Sequence, residues 1–389
     1  MSIKNTTSIF VDCHVFDDGF QGTRTYIKGL YLELIKKKDL HFFLVSSNPD
    51  HLESIFGNHS NVTYLKYKYH NKFLRLSIDI PQIIKKNKID FAHFQYIVSP
   101  IKRCKYIVTT HDVLFIDFPD YFTFLSRIVN TFLYKLSAKG SEIKLTVSEY
   151  SKQKIQQHFA LSNYEITPNA IQDVFFEEYD KELMKKEVAE NFSLKNYIIY
   201  VSRWEPRKNH QMVLKAFLDL KLYKKYKLLF LGNDTLPNQH YDKVFNKLNS
   251  EIKSQIVSLK NTDLKTMLLL LRGADASVYP SLAEGFGIPP LESVAAKVPT
   301  LCSNKTAMSD FTFFKDYYFD PYNQDEFNQK LQKILTQKVA LDFEIMAQNI
   351  KEKYRWQKSA DILYNLIKQI NKNNLIIGFL LYCFQITCF

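Results

Sequence analysis

"PSLAEGFGIPPLE", residues 280–292, is the stretch on which the reading of the fold turns. The preceding run "ADASVYP", residues 274–280, is apolar and β-branched and reads as a buried strand closing at Pro280. After the loop, "LESVAAK" has helical character, and Pro289 or Pro290 suits a first helical turn, where a missing N–H costs nothing. The stretch is therefore strand, glycine-bearing turn and helix N-terminus. Such a turn offers free backbone N–H groups, and the helix dipole favours oxygen-rich or anionic ligands beside them. Only 10 glycines occur in 389 residues, yet Gly285 and Gly287 both fall here, flanked by Glu284 and Glu292. Two acceptors beside several donors suit vicinal hydroxyls, so a sugar or a ribose is the ligand this loop suggests. The plainer alternative makes Glu292 a charge-favoured helix residue and Glu284 a solvated loop residue.

The chain around this loop is too long for one ordinary α/β core and suits two domains. Its apolar share of 46% and charged share of 24% are those of a soluble globular protein. No internal repeat or low-complexity tract is visible. Five cysteines, an odd number without metal-like clustering, favour a reducing compartment. The start, "MSIKNTTSIFVDC", lacks the apolar core of a signal peptide. The end, "LIIGFLLYCFQITCF" over 375–389, falls short of the roughly 20 residues a spanning helix needs. It reads as an interfacial or buried tail rather than a spanning anchor.

The net charge is +12, and the basic excess is denser early: residues 1–168 carry 22 basic against 15 acidic side chains, the remainder 30 against 25. Within the first half, "KYKYHNKFLRLSIDIPQIIKKNK", residues 66–88, mixes seven basic residues with aromatics and one acid. This pattern suits an anionic membrane or a phosphorylated substrate, or is simply a solvated lysine-rich face. No recognised binding motif accompanies the charge, so nucleic acid is not expected as a partner.

Strand-like segments at 7–13, 41–47, 61–67, 90–96, 105–111 and 143–148 alternate with helical patterns at 22–38, 72–87 and 121–139. Ser148 reads as the N-cap of a helix over "EYSKQKIQQHF". Alternation of this kind predicts a parallel sheet covered by helices on both faces. Residues 169–196 break the pattern and read as a linker. A second series follows, with strands at 197–202, 227–232 and 274–280 and helices at 210–220, 241–252 and 263–272. The expected fold class is α/β, two doubly wound Rossmann-like domains over 1–168 and 197–353, facing across a cleft that holds the active site.

"YVSRWEPRKNHQMVLKAF", residues 200–217, sets Arg203 directly after a strand and Lys208 at the entry to a helix. Two cations there suit a diphosphate. Taken with "EGFGIPPLE", this segment resembles the retaining glycosyltransferases of family 4, which have the two-domain GT-B fold. Glu284 and Glu292 match that family's E-x7-E motif, and Arg203 and Lys208 its upstream R-x4-K. In the first half, "TTHDVLFIDFPDYF" (109–122) resembles the family's His-Asp segment, which puts His111 over the transferred sugar. "FQGTRTYIKGL" (20–30) resembles its first glycine-bearing loop, where Gly22 lets backbone approach the diphosphate, and "LTVSEYSKQKI" and "ITPNAI" resemble the segments closing the first domain. "YRWQKSADILYNLIKQI", within 354–371, resembles the last family helix, which crosses back to the first domain, leaving 372–389 as an apolar tail. The likeness runs over roughly residues 7 to 371. Two positions depart from it: Ser202 and Lys297 stand where the family often has glycine.

The resemblance implies the roles. Glu284 and His111 act on the transferred hexose; Arg203 and Lys208 hold the diphosphate; Glu292 accepts from the ribose; and Gly285, Phe286 and Gly287 bring backbone donors close. No metal is expected, since the chain has no Asp-x-Asp and its own cations stabilise the leaving diphosphate. No cofactor is implied beyond the donor substrate, a GDP- or UDP-hexose, with mannose favoured. The acceptor is expected to be a lipid-linked or polysaccharide chain, and the protein to be cytoplasmic, peripheral at the inner face of the cell membrane. Two other readings stand beside this one: a transferase with a small soluble acceptor, and a catalytically silent GT-B module that binds nucleotides or partners at a membrane.

Overall fold

The computed structural model describes residues 6–17, 22–337 and 339–387, with the side chains of 340 and 374–387 excepted. Two parallel sheets account for the strands. The first contains β1 (Thr7–Asp12), β2 (Leu40–Ser46), β3 (Val62–Lys66), β4 (Phe91–Gln95), β5 (Lys105–Thr109), β6 (Ile143–Thr146) and β7 (Tyr164–Ile166), in the order β3-β2-β1-β4-β5-β6-β7. The second contains β8 (Tyr197–Val201), β9 (Lys227–Leu231), β10 (Ile256–Leu259), β11 (Ala276–Tyr279), β12 (Thr300–Ser303) and β13 (Tyr318–Phe319), in the order β10-β9-β8-β11-β12-β13. Both orders reverse direction once, at β1/β4 and at β8/β11. A doubly wound sheet opens a crevice at such a reversal, because the flanking connections leave to opposite faces.

The chain divides into two compact units. One comprises 1–113, 128–170 and 355–389; the other comprises 114–127 and 171–354. In the first, Ile9, Phe10 and Val11 of β1 are all fully buried. Burial of consecutive residues is the mark of a strand covered on both faces. Helix α1 (Gly22–Leu34) turns Tyr26, Ile27, Leu30, Tyr31 and Leu34 inward at helical spacing. Helix α2 (Glu149–Phe159) starts where the sequence puts it, with the Ser148 hydroxyl accepting from Ser151 N at 3.1 Å.

In the second unit, residues 171–196 do not stand apart as a linker. They include helix α3 (Lys181–Phe192), which packs against α5 (Leu264–Gly273), and Lys181 Nζ donates to Ala274 O. Between these lies α4 (His210–Asp219), and α6 (Ile288–Ala295) follows the 280–287 loop. After Tyr354 the chain rejoins the first unit through α7 (Trp356–Thr387). There Gly29 of α1 makes room for Trp356: a Cβ at Gly29 would lie 2.0 Å from the indole. α7 packs along α1, and Ser359 Oγ donates to Pro168 O at 2.8 Å and Tyr364 OH to Asp39 at 2.8 Å. The backbone of the apolar tail is helical to Thr387, and its side chains lie outside the described residues. No helix among the described residues is long and apolar enough to cross a membrane.

Several boundaries differ from expectation for local reasons. The helix expected at 72–87 holds a π segment, Arg75–Asp79, in which Ile80 N donates to Arg75 O. The wide turn precedes Pro81, which has no N–H to give to the ladder. The helix expected at 241–252 is two short ones, Gln239–Phe245 and Ser250–Ser254, each started by an asparagine cap, Asn238 and Asn249. The helix expected at 121–139 begins at Phe124.

Candidate active site

Strands β8 and β11 are parallel neighbours, so the loops leaving their carboxyl ends emerge side by side at the reversal of the second sheet. The first loop runs from Ser202 through a 3₁₀ turn, Pro206–Lys208, into α4; the second is 280–287, leading into α6. Leu282 N donates to Arg207 O at 2.8 Å, tying one loop to the other.

Here the carboxylate of Glu284 lies between two cations. Lys208 Nζ pairs with its Oε1, and Arg207 Nη1 donates to its Oε2 at 3.0 Å. Arg207 also donates to Ala283 O at 2.7 Å and pairs through Nε with Glu205 at 2.7 Å, and Glu205 in turn meets Arg203 at 2.9 Å. Lys208 and Glu205 are buried, while the Arg203 side chain is 48% exposed. Three cations thus face two carboxylates, an excess of one positive charge. Burial alone would push the Glu284 carboxyl upward, but Lys208 and Arg207 overcome it and hold its pKa at about 2. Burial lowers the Lys208 ammonium, with Glu284 opposing.

The glycine turn has its own constraints. Gly287 caps α6 at φ +97°, a left-handed conformation, and a Cβ there would meet Met308 Cγ at 2.8 Å. Phe286 is buried edge-on against Phe311 and Tyr354. Glu292 lies in α6 with no ion-pair partner among the described residues, and burial raises its pKa to about 7. The Ser202 carbonyl sits 2.0 Å from where a Cβ of Gly232 would be, so the glycine of this loop pair is on β9's side. Ser202 Oγ lies 3.0 Å from His210 Nε2, and His210 stacks on Trp204 at 4.1 Å.

His111 and Gly22 belong to the first unit. Gly22 is the first residue of α1, and nothing among the described residues lies within 4 Å of where a Cβ on it would stand. His111 follows β5 and is buried, its Nε2 2.6 Å from Gln95 Oε1 and its ring edge-on to Tyr26 at 4.9 Å. An amide oxygen only accepts, so His111 carries its proton on Nε2 and keeps Nδ1 as an acceptor. Burial lowers its pKa to about 3 and keeps the ring neutral. Behind it, His93 joins Tyr31 OH at 2.7 Å and Thr109 Oγ1 at 2.8 Å.

The structure therefore gathers Glu284 and Lys208 into direct contact, reaches Arg203 through Glu205, and sets Gly285, Phe286, Gly287 and Glu292 on the adjoining turn and helix. Sequence reasoning missed Arg207, Glu205 and Gln95. Arg207 stands beside Lys208 inside the R-x4-K motif, which specifies only its two end residues. Gln95 gave no signal, because its partner is 16 positions away and met only through strand pairing.

A family model described as Glycosyltransferase Family 4 matches residues 20–174, and one described as Glycosyl transferases group 1 matches residues 181–356. The chain is 25% identical over 228 residues to the O-antigen chain mannosyltransferase RfbU of Salmonella typhimurium, covering 58% of this chain and 60% of that one. It is 23% identical over 344 residues to a Campylobacter jejuni N-acetylgalactosamine-N,N'-diacetylbacillosaminyl-diphospho-undecaprenol 4-alpha-N-acetylgalactosaminyltransferase, covering 76% and 89%. The matches span 60% or less of the length of the first curated relatives. Among solved structures, sucrose-phosphate synthase from Thermosynechococcus elongatus superposes with a TM-score of 0.76 at 12% identity, covering 95% of this chain and all of that one. Anabaena HepE in complex with UDP superposes at 0.70 and 12% identity, covering 94% and all of that chain. The fold they share is GT-B.

Proposed function

Because the chain belongs to the family 4 glycosyltransferases of GT-B fold, we propose that it is a retaining, metal-independent hexosyltransferase, using a nucleoside-diphosphate sugar to extend a lipid-linked or polysaccharide acceptor of the cell surface. The observation that carries this is the buried Lys208–Glu284–Arg207 cluster, set at the sheet reversal and at the head of α6. Its excess positive charge and the N-terminus of α6 suit the diphosphate that departs with negative charge. Arg203, the exposed cation of the group, and Lys208 contact that diphosphate. Glu284 accepts from hydroxyls of the hexose, Glu292 from the ribose, and the turn at Gly285 and Gly287 lets backbone donors approach.

His111, neutral and held by Gln95, offers Nδ1 to a hydroxyl of the transferred sugar. The incoming acceptor attacks from the face the leaving group departs, the leaving phosphate takes the acceptor proton, and the anomeric configuration is kept. Mannose is the favoured sugar, with GDP or UDP as its carrier, since O-antigen mannosyltransferases recur among the relatives. A diphospho-undecaprenol-linked glycan, as in the name of the Campylobacter relative, illustrates the acceptor class. The site of action is the inner face of the cell membrane.

The test is incubation of purified protein with GDP-mannose, UDP-glucose and UDP-N-acetylgalactosamine, with proton NMR of the released or transferred sugar. One donor consumed, giving an α-linked product from an α-linked donor, is the expected result. An inverted product, or no donor turned over while an acceptor extract is present, overturns the proposal.

A further inference from the structure

The helix Phe124–Lys139 is turned the wrong way for a helix that serves only the core. Phe124, Leu125, Ile128, Val129, Phe132 and Leu136 fall on one side of it, and they are exposed by 42 to 73%. The opposite side is the more polar one and faces inward: Tyr134 stacks on Tyr96 at 4.8 Å, Ser137 Oγ accepts from Val98 N at 3.1 Å, and Ala138 is buried. Amphipathic helices of soluble proteins present the reverse arrangement. A contiguous row of six large apolar side chains on the outside marks an interaction surface.

Charge says what covers it. The helix sequence, FLSRIVNTFLYKLSAK, holds Arg127, Lys135 and Lys139 and no acid. Lys135 and Lys139 are exposed and, by helical spacing, lie on the apolar side at its carboxyl end. A second copy seated on this face would bring like charges together, in a chain of net charge +12. An anionic lipid surface accepts both features: aromatic and aliphatic side chains at the headgroup–acyl boundary, lysines at the phosphates.

We infer that the outward face of helix Phe124–Lys139 docks the protein on an anionic lipid bilayer, the surface where a lipid-linked acceptor is presented. The inference rests on the acceptor class proposed above, but it assigns the attachment to this helix and neither to the basic segment 66–88 nor to the apolar tail. Ile128, Val129, Phe132 and Leu136 belong to the first unit and none of them is among the donor-site residues of the second, so donor turnover and lipid attachment are separable at these four.

The experiment is co-sedimentation of the full chain with vesicles of phosphatidylcholine alone and of phosphatidylcholine with phosphatidylglycerol, for the wild type and for an Ile128→Ser, Phe132→Ser, Leu136→Ser variant. A Lys135→Glu, Lys139→Glu variant tests the charge. These side chains are exposed, so the fold is retained, and unchanged nucleotide-induced thermal stabilisation verifies it. The wild type is expected to bind the anionic vesicles only, the serine variant at least about tenfold more weakly, and the glutamate variant about tenfold or more weakly with a reduced salt dependence. Wild-type binding in the serine variant, or no binding of the wild type, overturns the assignment. So does a dimer of the wild type, seen by sedimentation velocity, that the serine variant loses. Loss of donor turnover with vesicle binding intact counts against the catalytic proposal alone.

Discussion

Replacing Glu284 by glutamine keeps the side chain's volume and removes the charge that holds Lys208 and Arg207 together. Against burial, the two cations hold the Glu284 pKa at about 2 instead of the ordinary 4.5. A difference of that size corresponds to about 3 kcal/mol of stability at neutral pH. Because the folded-state value is depressed, the contribution is complete well above pH 4.5 and is lost as the pH falls towards 2. It is roughly halved at about pH 3. Removing one member of a buried ion cluster also strands its partners, which carries a cost of the same order. Urea unfolding followed by tryptophan fluorescence is the assay, since Trp204, stacked on His210, lies in the unit concerned. For slopes of about 2 to 3 kcal/mol per molar, the variant's midpoint should fall by at least about 1 M at neutral pH. The deficit should shrink as both proteins are acidified. An unchanged neutral midpoint, or a deficit that stays constant from pH 6 to 3, would mean that the Glu284 carboxylate does not stabilise the fold through Lys208 and Arg207.

Other consequences can be checked separately. Glu292 has a raised pKa, so its ionisation costs stability progressively from about pH 4.5 to about 7. Glu292→Gln should therefore match the wild type in stability at pH 4 and exceed it by up to about 3 kcal/mol at pH 8, read by thermal melts, while weakening donor saturation. Gln95→Leu should lower kcat by about tenfold or more with little change in donor KM, because it frees the His111 ring; Gln95→Glu should raise the pH at which His111 protonates, seen by NMR of the imidazole. Gly287→Ala should destabilise by about 1 to 3 kcal/mol in denaturant titration, given the left-handed backbone and the Met308 contact.

How far the sequence carries the structure depends on the range of the interaction that decides each feature. Alternating buried strands and amphipathic helices are local patterns, and so β1, β4, β8, β11 and α4 are legible from the order of residues in each segment. The Ser148 cap is legible because a hydroxyl needs only the next turn to act. Short elements at sheet edges are not: Tyr164–Ile166 has three residues, and its pairing with β6 supplies what its own sequence lacks. Residues 169–196 read as a linker because they break the strand–helix alternation, and only the packing of α3 on α5 assigns 171–196 to the second unit.

The same rule divides the candidate site. E-x7-E and R-x4-K place Arg203, Lys208 and Glu284 on two loops and Glu292 on the helix that follows the second. That the loops lie side by side follows from the pairing of β8 with β11, which no local signal shows. Lys208 and Glu284, read as separate contacts for diphosphate and sugar, turn out to be ion-paired to each other, with Arg207 as third member. The outward apolar face of Phe124–Lys139 was hidden for a related reason. An amphipathic pattern states that a helix has two sides and leaves open which one meets the core.

Binding of a nucleoside diphosphate by the loops at the β8/β11 reversal is measured by isothermal calorimetry of GDP and UDP against the wild type and Arg203→Ala. Arg203 is the cluster's exposed cation, so its loss should leave the fold intact and remove one charged contact, worth about 1.5 to 3 kcal/mol, or about tenfold to a hundredfold in affinity. Saturable binding of one diphosphate by the wild type is expected, weakened by that factor in the variant, with the corresponding nucleoside affected much less. Equal affinity of wild type and variant for the diphosphate, or equal loss for nucleoside and diphosphate, would contradict it.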